Sequence, residues 1–259
     1  MALTVNNLIN DPNGFPVFAG GGPRLLGFGT PDDIEVGQSS LFSFPWGVWG
    51  LGGNDIIAGS SDSNERLLGN DGDDAIAGNG GNDIIYGGKQ NDRLDGNDGN
   101  DLVRGDAGND IVFGGFGNDI LRGGQGDDDL SGNEGNDFIA GDRGIDVLTG
   151  DLGADIFVLR SNDEFGINGA DVITDFNFDE GDRIGLTDGL TELNLFFEDD
   201  NLIAYDNDGI LDDMVIENRI TGQILGIVLN TNSFEITGAF ESASPFALAV
   251  NGSQFQFLA

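Results

Sequence analysis

GNDGDDAIA (69–77) and GNGGNDIIY (78–86) are two statements of one nine-residue phrase, and the phrase continues without a gap to Val158. Further examples are GGFGNDILR (114–122) and GNEGNDFIA (132–140). Position one is always Gly. Position six is always Asp: Asp74, Asp83, Asp92, Asp101, Asp110, Asp119, Asp128, Asp137, Asp146 and Asp155. Position eight is always aliphatic or aromatic, running from Ile76 and Ile85 to Leu148 and Phe157. An earlier unit, GLGGNDIIA (50–58), fits fully and adds Asp55, while residues 59–68 form a ten-residue unit that brings Glu65 near the acidic slot and reads as bulged. A Gly/Asp-rich disordered tract has no reason to keep an apolar residue at every eighth position.

The period matches the GGxGxDxUx consensus, and over residues 50–158 the chain resembles the RTX (repeats-in-toxin), hemolysin-type calcium-binding proteins. The fold this implies is all-β: a right-handed parallel β-roll of nonapeptide units with an N-terminal cap and a C-terminal β-rich segment. The residues give a reason for the metal. The last three residues of each nonad suit a short strand with position eight inward, and the first six suit a turn. Gly at positions one and four is expected to allow positive φ and close wrapping of the backbone round an ion. Two turns complete one coil, so alternate units stack about 4.8 Å apart.

One edge then stacks Asp55, Asp74, Asp92, Asp110, Asp128 and Asp146; the other stacks Glu65, Asp83, Asp101, Asp119, Asp137 and Asp155. Carboxylates with backbone carbonyls make an oxygen-only site, which suits a hard cation, and Ca²⁺ tolerates irregular cages better than Mg²⁺. The stacking allows about eight to ten ions, with the Glu65 site weak or missing. Gln90 at position four, and Ile145 and Ala154 at position five, depart from the pattern, so sites beside them are expected to be weaker. One buried apolar side chain per nonad is too little to offset the ordering of nine residues. The roll is therefore expected to fold only when calcium binds.

Composition excludes much else. Asp and Glu number 46 against 10 Lys and Arg, a net charge of -36, so nucleic acid and anionic membrane surfaces are not expected partners. With no His and no Cys, zinc-protease sites, Ser-His-Asp triads and Cys-His dyads are ruled out. Acid pairs that would serve a carboxylate-only hydrolase occur everywhere by repeat logic and carry no specificity. No catalytic residues are assigned, and the chain is not expected to be an enzyme. No apolar run is long enough for a transmembrane segment.

Three regions are expected: a cap at 1–49, the calcium-binding roll at 50–158, and a β-rich cap at 159–259. The first contains Leu41, Phe42, Phe44, Trp46, Val48 and Trp49, suited to covering the first open coil, with a glycan-stacking platform as the alternative. Residues 153–187 resemble the segment that commonly follows RTX arrays; Asp171, Asp175 and Asp182 there suit a cap, or one more ion. Strands are expected at 201–205, 213–218 and 222–229, and a turn at DNDG (206–209) with Asp212 and Asp213. Position seven points outward. It is apolar throughout one sheet (Ile84, Leu102, Ile120, Phe138, Ile156) and broken in the other (Ala75, Arg93, Ile111, Asp129, Val147), so the first face needs cover from the chain's own flanks or from a partner.

The N-terminus lacks an ordinary secretory signal, and the uncharged last 18 residues (242–259) resemble the uncleaved C-terminal signal of RTX proteins. The resemblance implies type I export and a secreted, extracellular or cell-surface location. The function expected is a calcium-binding structural or interaction protein of a surface or matrix, capable of self-association. A polysaccharide-binding module using Trp46, Trp49 or the apolar face is the alternative.

Overall fold

The computed structural model describes residues 47–160 and 170–187, with the shorter stretches 2–4, 25–26, 33–35, 195–199, 213–219, 221, 223–229 and 240–242. Every regular element among them is a strand. The nonads alternate between two sheets. Arg66–Asp71, Ile84–Lys89, Leu102–Ala107, Ile120–Gln125 and Phe138–Arg143 run parallel in one; Ala75–Ala77, Arg93–Asp98, Ile111–Phe116, Asp129–Glu134 and Val147–Leu152 run parallel in the other. Val103 sits beside Leu121 and Val112 beside Leu130, a register of two nonads. The fold is an all-β parallel solenoid of about 6 turns.

Position eight supplies the core. Leu67, Ile76, Ile85, Leu94, Val103, Val112, Leu121, Leu130, Ile139, Leu148 and Phe157 line the space between the sheets, all essentially inaccessible. Phe157 meets Phe176 with ring centroids 6.3 Å apart, so an aromatic pair stands where the nonads stop.

Two local expectations are corrected. Most strands hold six residues, not three: positions seven to nine and one to three, leaving only four to six as the turn. Pairing skips position one, as where Arg104 meets Arg122 and the next pair is Asp106 with Gly124. The positive φ angles fall at positions two and four, not one and four. Position two is left-handed even without Gly, as in Asn70 (81°), Asn97 (69°) and Asp106 (79°). Asn and Asp tolerate this region because a short polar side chain compensates locally. Position four is Gly except at Gln90, whose φ is 72°.

The sheets cross both places where the period changes. Leu25–Leu26 and Val48–Gly52 precede the first sheet, and Ile156–Leu159, Arg183–Leu186 and Phe240–Ser242 follow it, all parallel. Ala2–Thr4, Asp33–Glu35 and Ile56–Ala58 precede the second, and Asp171–Ile173 and Gln223–Val228 follow in parallel. That sheet ends antiparallel, in Met214–Asn218 and Leu195–Asp199. The strands expected at 213–218 and 222–229 are thus present. Residues 201–205, the DNDG turn with Asp212, and the aromatics Phe42, Phe44 and Trp46 lie outside the described residues.

The outer faces differ. Leu102 and Ile120 retain 7% and 8% exposure, whereas Ile111 and Val147 on the opposite face retain 39% and 38%. Within the stripe only Leu102 and Ile120 are buried, while Ile84, Phe138 and Ile156 keep partial exposure.

Candidate metal centre

Each position-six aspartate uses its two oxygens differently. One holds the fold. The Asp74 N–H donates to Asp92 Oδ1 at 2.8 Å, Asp92 to Asp110 at 2.8 Å, Asp110 to Asp128 at 2.8 Å and Asp128 to Asp146 at 2.9 Å. On the other edge Asp83 donates to Asp101 at 2.6 Å, Asp101 to Asp119 at 2.7 Å, Asp119 to Asp137 at 2.8 Å and Asp137 to Asp155 at 2.8 Å. Asp55 joins the first ladder through its N–H to Asp74 Oδ1 at 2.7 Å.

The second oxygen has no such use. Oδ2 of Asp74, Asp83, Asp92, Asp101, Asp110, Asp119, Asp128, Asp137, Asp146 and Asp155 is buried and accepts no hydrogen bond. A buried, unsatisfied carboxylate oxygen is strongly unfavourable, and native folds rarely tolerate one. Here the same atom is orphaned at the same position of ten units in succession, which points to one class of partner repeated along both edges.

Position-one glycines shape the space beside that oxygen. A methyl carbon placed on Gly69 would collide with Asp74 Oδ2 and stand 2.6 Å from the Gly87 carbonyl oxygen. On Gly96 it would stand 2.5 Å from both Asp101 Oδ2 and the Gly114 carbonyl oxygen. A carboxylate oxygen and a carbonyl oxygen from the next turn of the same edge therefore converge on a small cradle at Gly69 and Gly96, and likewise at Gly78, Gly105, Gly114 and Gly132. Among the described residues no three carboxylates converge on one point. With one aspartate per turn, main-chain carbonyls have to supply the balance of any metal shell. An all-oxygen, low-carboxylate set of this kind fits Ca²⁺.

Burial dominates the electrostatics. It pushes Asp83, Asp92, Asp119 and Asp128 up to about 8, Asp155 to about 7, and Asp101, Asp110, Asp137 and Asp146 to about 6. Asp74 is raised as well. The N–H from the preceding turn opposes the shift and nearby carboxylates reinforce it. A bound cation favours the charged form and reverses the burden.

A second ladder of opposite polarity runs at position five. Asn91 N–H donates to Asp73 Oδ1 at 3.1 Å, Asn109 to Asn91 at 2.9 Å and Asp127 to Asn109 at 3.1 Å; opposite, Asn118 donates to Asn100 and Asn136 to Asn118, both at 2.7 Å. Ile145 and Ala154 end these ladders, donating N–H groups to Asp127 and Asn136 at 3.0 and 2.9 Å. No further nonad needs an acceptor from them.

Glu65 holds the slot that Asp takes elsewhere: its N–H donates to Asp83 Oδ1 at 2.6 Å. Its own carboxylate receives the Ser60 N–H at 3.0 Å, the Ser60 hydroxyl at 2.9 Å and the Ser63 hydroxyl. Beyond the array, Asp146 N–H donates to Asp171 Oδ1 at 3.2 Å and Asp155 N–H to Asp182 Oδ1 at 2.9 Å, so both ladders continue into residues without the nonad. Sequence reasoning missed this continuation. Its signal is the Asp-x-aliphatic spacing of DVI (171–173) and DRI (182–184), the same as positions six to eight. Asp175 instead accepts the Gly150 and Asp151 N–H groups at 2.9 and 2.7 Å.

The RTX calcium-binding nonapeptide repeat matches the chain in four copies, at residues 48–65, 60–94, 95–130 and 131–162. Among solved structures, the chain is similar to the AlgE6R3 subunit from the Azotobacter vinelandii mannuronan C5-epimerase, determined in solution, with 25% identity and a TM-score of 0.34 over 57% of this chain and 91% of that one. No curated protein matches the chain.

Proposed function

Because residues 48–162 are RTX calcium-binding nonapeptide repeats, we propose that this calcium-binding β-roll is the body of an extracellular structural or interaction protein that folds as it takes up Ca²⁺. The ligands in this reading are Asp55, Asp74, Asp83, Asp92, Asp101, Asp110, Asp119, Asp128, Asp137, Asp146 and Asp155, with glycine carbonyls completing each shell. The observation that carries it is the row of ten buried Oδ2 atoms with no hydrogen-bond donor. When bound, the ion neutralises carboxylates that the fold has desolvated. The chain's own part is to place one carboxylate oxygen and one carbonyl beside a glycine that leaves room.

Weak extracellular sites filled at millimolar calcium suit such a device. So does export by type I machinery, in which the chain crosses unfolded where calcium is scarce and folds outside. The chain contains no Cys to need oxidation and, among the described residues, no helix long and apolar enough to cross a membrane. We assign the protein no enzymatic role; its action is assembly or surface contact.

Calcium titration of the chelated protein, followed by far-UV circular dichroism and light scattering, tests the reading. A largely unordered spectrum in EDTA should convert to β-structure as calcium is added. A spectrum already β-rich in EDTA at neutral pH overturns it. Removal of residues 200–259 should abolish export, and export of the truncated chain would contradict the type I route.

A further inference from the structure

We propose that the outer face of the second sheet is a two-fold interface between two copies of this chain, laid antiparallel, with Arg93 of each copy against Asp129 of the other. This deepens the proposed role in assembly and rests on the roll folding with calcium.

The face is open. Ile111 and Phe116 retain 39% and 57% exposure, and Val147 retains 38%. The opposite face is closed over much of its length, where Leu102, Ile120, Ala140 and Val158 are buried. Strand Ile111–Phe116 carries no charged side chain, and it lies between Arg93–Asp98 and Asp129–Glu134, which do. An apolar centre with a polar margin is the anatomy of a protein–protein interface.

The rows of this face are complementary to themselves. Along position seven the order is Ala75, Arg93, Ile111, Asp129, Val147, each paired in register with the next. A second copy turned end over end about Ile111 sets Ile111 on Ile111, Arg93 on Asp129, Asp129 on Arg93 and Ala75 on Val147. Along position nine the same turn sets Phe113 on Phe113, Asp95 on Ser131 and Ala77 on Thr149. Both copies climb by the same step of about 4.8 Å, so all these matches are made together. Parallel copies do worse. Each strand then meets its own reversed image: Arg93 gains Asp98, but Asp129 faces Glu134 and Asp95 faces Asp95 at the centre. Like charges across a contact act against it, so charge selects the antiparallel pair.

Arg93 and Asp129 are both exposed, and neither belongs to an ion pair among the described residues. The Arg93 guanidinium lies 4.6 Å from the centroid of the Phe113 ring, which holds the charge beside the apolar centre. Asp98 meets Glu134 in the antiparallel pair, but at the exposed margin, where water and salt screen them. The face spans about 24 Å across its strands and about 20 Å along them, which makes a joint of about 1,000 Å², the low end for specific association. The dimer is therefore weak, and because both copies use the same face it closes at two.

Sedimentation equilibrium of the full chain in saturating calcium, at concentrations up to about 1 mM, tests this. The wild type should pass from monomer to dimer mass. Arg93→Asp and Asp129→Arg should each stay monomeric, because each sets like charges together at two places. Mixed in equal amounts the two variants should dimerise, since every such contact then joins opposite charges. A wild type that is monomeric throughout, single variants that dimerise as well as it does, or a mixture of folded variants that stays monomeric overturns the inference. The chain has no Cys, so one introduced thiol gives an answer free of charge reversal. A short bismaleimide should join Ile111→Cys into a covalent dimer but not Ala75→Cys, which stands about 19 Å from its own copy. No link at Ile111→Cys refutes the pairing. A wild type that folds with calcium yet stays monomeric refutes the dimer alone; one that stays unordered in calcium fails the proposed function, and this inference with it.

Discussion

Glycine at position one is required by what lies beside it, not by its backbone angle. A Cβ on Gly105 would strike Asp110 Oδ2 and stand 2.7 Å from the Gly123 carbonyl. Gly105→Ala should therefore weaken the roll by about 1–3 kcal/mol, the usual cost of overpacking, read as a higher calcium midpoint for folding. Gln90 shows the opposite case, a bulky residue held at φ 72°. Gln90→Gly should raise stability by up to about 1 kcal/mol in thermal melts with calcium saturating, since relief of strain outweighs the added freedom of the unfolded chain. The aspartates predict a pH response as well. Their folded values, about 6 for Asp101 and about 8 for Asp119, exceed the ordinary 3.8, so the metal-free fold binds more protons than the unfolded chain. Their contribution is fully present below about pH 4 and is lost as pH rises through 6 to 8. In EDTA, circular dichroism should show more β-structure at pH 4 than at pH 8; the reverse order would contradict the burial of these groups.

At the scale of the strand and its turn, the two side-chain ladders explain what the sequence left obscure. Period, parallel stacking and inward position eight were all legible, because Gly, Asp and an aliphatic residue recur at fixed intervals. The meaning of the departures was not. Ile145 and Ala154 read as flaws, yet each only donates an N–H at the end of a ladder. Asp171 and Asp182 were picked out as cap residues, but their place in the ladders was not legible because they lie 25 and 27 residues after Asp146 and Asp155, not 18. The left-handed second position was concealed because it is Asn or Asp in most units and not Gly, and only the backbone shows its positive φ. The apolar stripe gives a test at this scale. Ile120→Lys, at a site 8% exposed, should destabilise by about 2 kcal/mol or more without changing molecular mass, whereas Ile111→Lys on the opposite face should stay within about 0.5 kcal/mol. A change of mass in Ile120→Lys would mean that a partner copy, and not the chain itself, covers the stripe.

For the molecule as a whole, successive nonads belong to opposite edges, and each edge finishes differently. The array is therefore punctuated in units of eighteen residues. Deleting 114–131 should leave a shorter roll that still folds with calcium, because every remaining unit stays on its own sheet. Deleting 114–122 sends all later units to the other side: Phe138 and Ile156 then continue the row of Arg93 and Ile111, and the row that begins at Asp55 runs on through Asp155 to the hydrogen-bonded Asp182. Differential scanning calorimetry should show a far lower melting temperature for the smaller deletion. Heredity inherits the same grammar. Unequal recombination within such a gene can lengthen or shorten its product in double steps at little risk, while a single step inverts everything downstream, so an even parity of units is what descent can vary and an odd one is what selection removes.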